Sequence, residues 1–216
     1  MELLSVIKAR SIWLFDGNDL NPRGKRIHPE LLGWLKDTYR FSRVPSSIDD
    51  LDETKALAFI NGSFQISPEN IISVDLKVYN DGVVVDTRSS TKASDEFIDE
   101  MLTSMINQFD LAHSPEIIRK RLYLSELNVR CKGSLPSLNP KLKPFADKIS
   151  RLVNAEVELC SIGFWPGQKT TAPFSPFRFE RKLNAEFSEN RYYAAAPLQT
   201  DDHFELLNEL ETILVE

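Results

Sequence analysis

The chain has 216 residues, of which 42% are hydrophobic and 27% charged, and its formal net charge is −6. Its apolar content suffices for one large domain or two small ones and excludes a disordered chain, which lacks the groups that repay the entropy of ordering. Because phosphate repels a chain of negative net charge, we expect no general nucleic-acid binding and no membrane binding. No secretory signal and no run of about 18 apolar residues is visible, so a cytoplasmic protein is predicted.

The two cysteines, Cys131 and Cys160, lie in predicted strands and outside any CxxC or histidine-rich motif. We expect both to be free, buried thiols rather than metal ligands or a disulfide. The sequence also contains neither GxGxxG nor GxxxxGK[ST], the glycine-rich loops that cradle nucleotide phosphates. No cofactor and no metal site are therefore predicted.

The first 55 residues predict a strand, a loop and a helix. Ser11–Phe15 has the apolar content of a short strand, and residues 16–27 are polar and rich in turn-forming residues. His28-Pro29 then opens a helix, because proline is tolerated in the first helical turn. The polar segment 43–55 follows as a flexible connection. The apolar stripe of the helix is expected at Leu31, Leu32, Leu35 and Tyr39.

An antiparallel hairpin is the strongest local pattern. A strand at Ala56–Ile60, which Asn61-Gly62 turns or bulges, precedes it. Ile72–Tyr79 then alternates apolar and polar residues, and Val83–Ser89 follows. The segment Asn80-Asp81-Gly82 between these two strands is typical of a tight turn, so the strands are predicted to pair directly.

The charged residues of this hairpin have two interpretations. With Asp81-Gly82 as the two-residue turn, Lys77 lies opposite Asp86 and Asp75 opposite Arg88, so that cross-strand ion pairs set the register. In the alternative, Asp75 and Asp86 hold a divalent metal, as in a metal-dependent nuclease. We favour the structural role, because a register that places Asp75 against Asp86 is electrostatically unfavourable.

Three further helices have amphipathic patterns. Thr91 or Ser94 is suited to cap the first, Asn139-Pro140 starts the second, and Thr200 caps the third. Each has an apolar stripe at helical spacing that we expect to pack on a sheet. The stripes are Phe97, Ile98, Met101, Leu102, Met105, Ile106 and Phe109; Leu142, Phe145, Ala146, Ile149, Leu152 and Val153; and Phe204, Leu207, Leu210, Ile213 and Leu214.

Strands are also predicted at Leu122–Val129 and Val157–Phe164 and, as a second hairpin, at Phe177–Leu183 and Arg191–Ala196. The resulting order is β-α-β-β-β-α-β-α-β-β-β-α. It predicts an α+β protein with an antiparallel or mixed sheet of about seven or eight strands and amphipathic helices mainly on one face. Because both halves end in a strand, a threonine, acidic residues and a helix, an internal αβββα duplication within the single domain 1–216 is one interpretation. Its half-units would span about 28–112 and 138–216.

The loop between the first strand and the first helix is a candidate anion-binding site. Arg23, Lys25, Arg26 and His28 lie just before or at a helix start, where unpaired N–H groups attract anions. They would serve the alternative function, an enzyme acting on a phosphorylated or anionic small molecule. Their spacing matches no known site, however, and a solvated turn-rich loop is the simpler interpretation.

Nucleophilic catalysis has little support, because no GxSxG motif is present. Of the three histidines, His113 follows a helix end and His203 is expected to be exposed in the first turn of the last helix. A pairing of Cys160 with His28 has nothing to recommend it. The sequence therefore provides no convergent set of reactive residues.

The segment 164–177 combines aromatic residues with prolines and almost no titratable groups. Trp165, Phe174 and Phe177 are candidate partner-binding residues, because aromatic rings supply contact area and nearby prolines reduce the entropy lost on binding. The alternative is that these rings fold back over the end of the sheet. The leading hypothesis is a non-catalytic cytoplasmic interaction or assembly module that binds a protein partner or a second copy of itself.

Overall fold

A computed structural model of the chain describes residues 1–21, 28–45, 56–112, 115–165 and 175–215. It contains one eight-stranded antiparallel sheet with helices packed against it, which confirms the predicted α+β fold class. The strands are β1 (Glu2–Leu14), β2 (Leu57–Ser67), β3 (Asn70–Tyr79), β4 (Gly82–Thr87), β5 (Lys120–Arg130), β6 (Ser161–Phe164), β7 (Phe177–Arg181) and β8 (Arg191–Ala196). The helices are α1 (Gly17–Leu20), α2 (His28–Tyr39), α3 (Thr91–Phe109), α4 (Lys143–Val153) and α5 (Thr200–Val215).

The order of the long elements matches the predicted order, with the short helix α1 added after β1. Across the sheet the strands follow the order β2-β3-β4-β1-β5-β8-β7-β6. Three predicted strand ranges were wrong. β1 begins at Glu2 rather than Ser11, and β2 continues beyond the predicted end at Ile60 to Ser67. Of the predicted strand 157–164, only β6 pairs with a neighbouring strand. No helix among the described residues is long and apolar enough to cross a membrane.

Contacts divide the chain into two compact units. The N-terminal unit comprises Lys8–Leu124, and the C-terminal unit comprises Met1–Ile7 together with Ser125–Glu216. The order of strands and helices is repeated along the chain. The first series is β1-α2-β2-β3-β4-α3, and the second is β5-α4-β6-β7-β8-α5. The predicted half-units, 28–112 and 138–216, leave out the strand that opens each series, and duplication of the sequence stays a prediction.

The core of the N-terminal unit is rich in aromatic rings. The ring centroid of Tyr39 in α2 lies 4.8 Å from that of Phe97 in α3, and Phe97 lies 5.3 Å from Phe64 in β2. Trp34 of α2 packs edge-on against Phe109 of α3 at 5.9 Å. The stripes predicted for α2 and α3 therefore line one core. Their buried members are Leu35, Tyr39, Phe97, Ile98, Met101, Leu102 and Met105.

The core of the C-terminal unit is smaller. Among the described residues it contains nine buried apolar side chains, against seventeen in the N-terminal unit. Phe179 of β7 stacks on Tyr192 of β8 with centroids 4.4 Å apart, and α5 contributes Leu207 and Leu214. A smaller core leaves more apolar surface of this unit in contact with water.

The first hairpin has a different register from the predicted one. Asn80-Asp81 is the two-residue turn, so Asp75 lies opposite Asp86 and Lys77 opposite Val84. Gly82 is a strand residue with φ of 152°, and a Cβ there would lie 2.2 Å from the carbonyl oxygen of Trp13 in β1. Glycine at this position is thus required by the close approach of two strands rather than by the turn.

Neighbouring groups offset the charge of the two opposed aspartates. Both carboxylate oxygens of Asp86 accept hydrogen bonds from Arg10 of β1, at 2.6 and 2.7 Å. Asp75 accepts one from the backbone N–H of Asn61 at 2.7 Å, at the predicted bulge of β2. A bidentate guanidinium stabilises a carboxylate strongly enough to make this register acceptable. The predicted ion pairs Lys77–Asp86 and Asp75–Arg88 were wrong because the sequence of the hairpin does not reveal the third strand.

Both cysteines are free thiols, as predicted. Cys131 is buried just after β5, where burial raises the pKa of its thiol. Cys160 lies one residue before β6 and is exposed, so its predicted burial in a strand was wrong.

Candidate functional site

Exposed apolar side chains are concentrated in the C-terminal unit. Of fourteen large apolar side chains that are exposed among the described residues, eleven belong to this unit. Isolated exposed apolar residues are ordinary, but a set on one element marks a contact surface. Four of the eleven lie on or beside α4: Leu142, Phe145, Leu152 and Val153.

Local signals define α4 clearly. The side chain of Asn139 accepts a hydrogen bond from the backbone N–H of Lys141, which starts a short 3-10 turn that leads into the helix. Pro144 lies in the first helical turn, where the missing N–H is tolerated. Asn154 ends the helix in the left-handed conformation, with φ of 54°. The sequence thus predicted the apolar stripe of this helix and the cap of the 3-10 turn before it, whereas α4 itself begins at Lys143 rather than at Pro140.

The side of α4 that faces its own unit is narrow. Only Ala146, Ile149 and Ser150 are partly buried, and none of the residues of α4 is fully buried. The hydroxyl of Ser150 accepts a hydrogen bond of 2.9 Å from the backbone N–H of Val157, which ties the helix to the segment before β6. A groove of about 310 Å³ remains between this face of the helix and residues 156–159.

The outer side of α4 carries the rest of the apolar stripe. Phe145 is 64% exposed and Leu152 is 78% exposed. The expectation that this stripe packs into a core was therefore wrong for its largest members. Basic groups surround them, because α4 and the preceding turn contain Lys141, Lys143, Lys148 and Arg151 against one acid, Asp147.

Two more exposed aromatic rings lie at β6, an edge strand of the sheet. Phe164 is 65% exposed and Trp165 is 78% exposed, so Trp165 is available for a contact, as its predicted role requires. Phe177 of β7 is only partly buried, and its ring lies 5.8 Å from Phe164 and 6.1 Å from His203. Phe177 thus serves at least in part as cover for its own core.

The other predicted site residues lie wholly or partly outside the described residues. Phe174, Arg23, Lys25 and Arg26 fall in the segments that are not described. His28 is the first residue of α2, as predicted from His28-Pro29, but its side chain is not described. The roles of these residues in partner or anion binding stay predictions.

A buried serine–histidine pair is the main polar feature that sequence reasoning missed. His203 was expected to be exposed; its side chain is instead fully buried in α5. Its Nδ1 lies 2.6 Å from Oγ of the equally buried Ser125 in β5, and its Nε2 has no partner within the described part. Burial lowers the pKa of the imidazole from 6.5 to about 4, so the ring is neutral at physiological pH.

This pair lacks two requirements of a catalytic dyad. Neither side chain reaches a surface, so no substrate can approach the Ser125 hydroxyl. No carboxylate of the described residues is paired with the imidazole, and Phe177 lies edge-on beside the ring. The pair is instead a polar link between a strand and a helix. One sequence pattern could have predicted the burial of His203. Thr200 and His203 have the same spacing as Thr91 and Ser94 in α3, and all four residues are buried.

The N-terminal unit has an open cavity of about 570 Å³ between α2 and β2. Tyr39, Arg40, Gln65 and Glu100 are among its lining residues. Burial, reinforced by the nearby Glu100 carboxylate, raises the pKa of the Tyr39 phenol, which therefore stays protonated at neutral pH. No histidine, cysteine or lysine lines this cavity, so its described walls lack an activated nucleophile.

No group of three or more metal-ligating side chains occurs among the described residues. Asp75 and Asp86 do oppose each other, as the nuclease alternative would require, but Arg10 and the Asn61 N–H take up their oxygens. A guanidinium bound to both oxygens of Asp86 occupies the positions that a divalent cation would need.

No protein-family model matches the chain, and no curated protein matches it either.

Proposed function

We propose that this protein works by contact rather than by catalysis, and that α4 with the exposed rings at β6 forms the surface through which it binds a protein. One observation supports this most directly. α4 has a strongly amphipathic sequence, yet Phe145 and Leu152 on its apolar side are mostly exposed to water. An amphipathic helix normally buries its apolar side, because each exposed large apolar side chain forgoes about 1.5–3 kcal/mol.

The aromatic residues at β6 share the large, apolar and exposed character of the α4 residues. Phe164 and Trp165 are rigid, large and exposed, which are the properties of residues that dominate the energy of interfaces. An edge strand also presents unpaired backbone groups, to which an extended segment of a partner can add. The alternatives that need chemistry find less support, since the described cavities and polar clusters lack an accessible nucleophile or a ligand set.

Truncation of single exposed rings tests the proposal. We expect Phe145→Ala and Trp165→Ala each to weaken the assembly of the protein, with itself or a partner, by at least about 1 kcal/mol. The melting temperature should stay nearly unchanged, because both side chains are exposed. Assembly is measured by native size fractionation of extracts from cells that express the variants. Stability is measured by thermal unfolding of the purified variants.

Ile71→Ala is the matched control, because Ile71 is 65% exposed but lies on β3 of the N-terminal unit. It should change neither property. Loss of thermal stability in Phe145→Ala with unchanged assembly would show that the ring is an internal cover and would overturn the proposal.

A further inference from the structure

Two helices of the C-terminal unit carry exposed stripes with the same spacing and opposite charge. On α4 and its preceding turn, the stripe is Lys141, Phe145, Lys148 and Leu152; on α5 it is Asp202, Leu206, Glu209 and Ile213. In both, the residues are four, three and four positions apart. Residues at this spacing lie within about 60° of one another around a helix, so each set forms one narrow stripe.

All eight side chains are exposed. The least exposed apolar member is Leu206, at 38%, and the most exposed is Leu152, at 78%. The surrounding charges reinforce the contrast, because α5 contains five acidic residues and neither lysine nor arginine. One helix is therefore apolar with a basic border, and the other is apolar with an acidic border.

We propose that the occupant of the α4 stripe is the α5 stripe of a second copy of this chain; this inference rests on the proposed function. In a parallel arrangement, Lys148 meets Glu209 between two apolar pairs, Phe145 with Leu206 and Leu152 with Ile213. In an antiparallel arrangement shifted by one turn, Lys148 meets Glu209 again. The apolar partners are then exchanged, so that Phe145 meets Ile213 and Leu152 meets Leu206. The Lys148–Glu209 contact is thus common to both.

Three observations favour a second copy over other occupants. Both stripes are exposed in the same copy, so they do not cover each other within one chain. The chain itself supplies both complementary surfaces, and an interface that is used twice about a two-fold axis buries both at once. An anionic membrane suits the basic stripe less well, since the chain has a net charge of −6 and α5 is acidic.

Charge exchange in the full-length chain tests this docking. By sedimentation equilibrium, the wild type should self-associate, and Lys148→Glu and Glu209→Lys should each weaken association at least about tenfold, because like charges then meet in both contacts. An equimolar mixture of the two variants should restore it, since every mixed contact pairs opposite charges. The double variant K148E/E209K should associate like the wild type.

Matched controls and a second pair of variants keep the outcome decisive. Lys92→Glu and Asp99→Lys make the same charge changes at exposed positions of α3 and should leave association unchanged. Thermal unfolding verifies that each variant is folded. If a charge reversal impairs folding, Lys148→Gln and Glu209→Gln serve instead and should weaken association more at low than at high salt.

Several results would overturn the docking. One is a wild type that remains monomeric at several hundred micromolar, and another is a mixture of variants that associates no better than either alone. Binding to phosphatidylserine vesicles that Lys148→Glu abolishes and Glu209→Lys leaves intact would identify a membrane as the occupant. If the wild type is monomeric but Phe145→Ala still disrupts a complex in cells, only the self-docking fails and the proposed function stands.

Discussion

Helices α2 and α4 occupy the same place in the order of elements of their units, between the first and second strand, yet only one is packed. Leu35 of α2 is 2% exposed, and the ring of Tyr39 packs against those of Phe41 and of Phe97 in α3. Leu152 of α4 is 78% exposed. An apolar stripe thus predicts the formation of a helix, whereas the size of the neighbouring core decides whether the stripe is covered.

The cores of the two units explain this difference. The N-terminal core presents Phe41, Phe59 and Phe64 beside α2, and these rings fill the space under the helix. Across the groove from α4, residues 156–159 offer no buried apolar side chain, and Leu159 is only partly buried. With fewer apolar partners, α4 partly buries only Ala146, Ile149 and Ser150, and its largest apolar residues, Phe145 and Leu152, remain exposed.

The first turns of α3 and α5 show a second contrast. In α3, the small Ser94 hydroxyl donates a hydrogen bond of 3.1 Å to the carbonyl of Ala9. The corresponding residue of α5 is His203, whose ring, as far as the structure describes the chain, is paired through Nδ1 alone. A buried polar nitrogen without a partner costs about 1–3 kcal/mol. The C-terminal unit thus combines a smaller core with a less satisfied polar link.

The largest effect is expected in the packed helix. Leu35→Ala should lower the free energy of unfolding by about 2–5 kcal/mol, because it removes a fully buried side chain and leaves a cavity among aromatic rings. Urea unfolding followed by circular dichroism measures the change. A loss below about 0.5 kcal/mol would mean that α2 is no better packed than α4, and the contrast between the units would disappear.

A smaller effect is expected from the pH dependence of His203. Because burial lowers the folded-state pKa of this imidazole to about 4 from its ordinary 6.5, the folded protein favours the neutral ring. Its stabilising contribution is complete above about pH 6.5 and is lost as the pH falls toward 4, where the unfolded chain binds the proton first. The loss between these limits amounts to about 3 kcal/mol.

His203→Gln isolates this contribution from the titration of carboxylates. The free energy of unfolding, measured between pH 7 and 4, should fall less steeply in the variant than in the wild type. Hydrogen exchange should show α5 losing protection in acid before α3, whose counterpart Ser94 does not titrate. An equal pH dependence in both proteins would remove His203 as a difference between the units.

Much of the fold could be predicted from the sequence, because period and turn residues are local signals. Asn139 and Pro140 predicted the 3-10 turn that leads into α4, and Phe97 and Met101 predicted the buried side of α3 correctly. The features that escaped prediction depend on other strands. The register of β3 and β4 follows from contacts of Gly82 and Asp86 with β1.

The candidate site shows the same limit. The aromatic pattern singled out Trp165, whose ring is exposed and whose role in a contact stays a prediction, whereas the stripe of α4 was wrongly assigned to a core. Exposure of Leu152 is not encoded in the helix itself; it depends on how much apolar surface the rest of the C-terminal unit presents. The predicted exposure of His203 was wrong for the converse reason. The acidic residues beside it suggested exposure, although its position on the helix faces the core.

The smallest effect on stability is expected for Leu152→Ala, which makes in α4 the same chemical change as Leu35→Ala makes in α2. A side chain that is 78% exposed loses little burial on truncation, so the free energy of unfolding should change by less than about 0.5 kcal/mol. Measured at a concentration at which the protein is monomeric, this value reports the unit alone. At higher concentration, the wild type should gain stability from association and the variant should gain less, because the lost side chain belongs to the proposed contact. If Leu152→Ala lowers the free energy of unfolding of the monomer as much as Leu35→Ala does, α4 is packed within its own unit. That result would remove the contrast between the two helices. It would also remove the apolar surface on which the proposed contact depends.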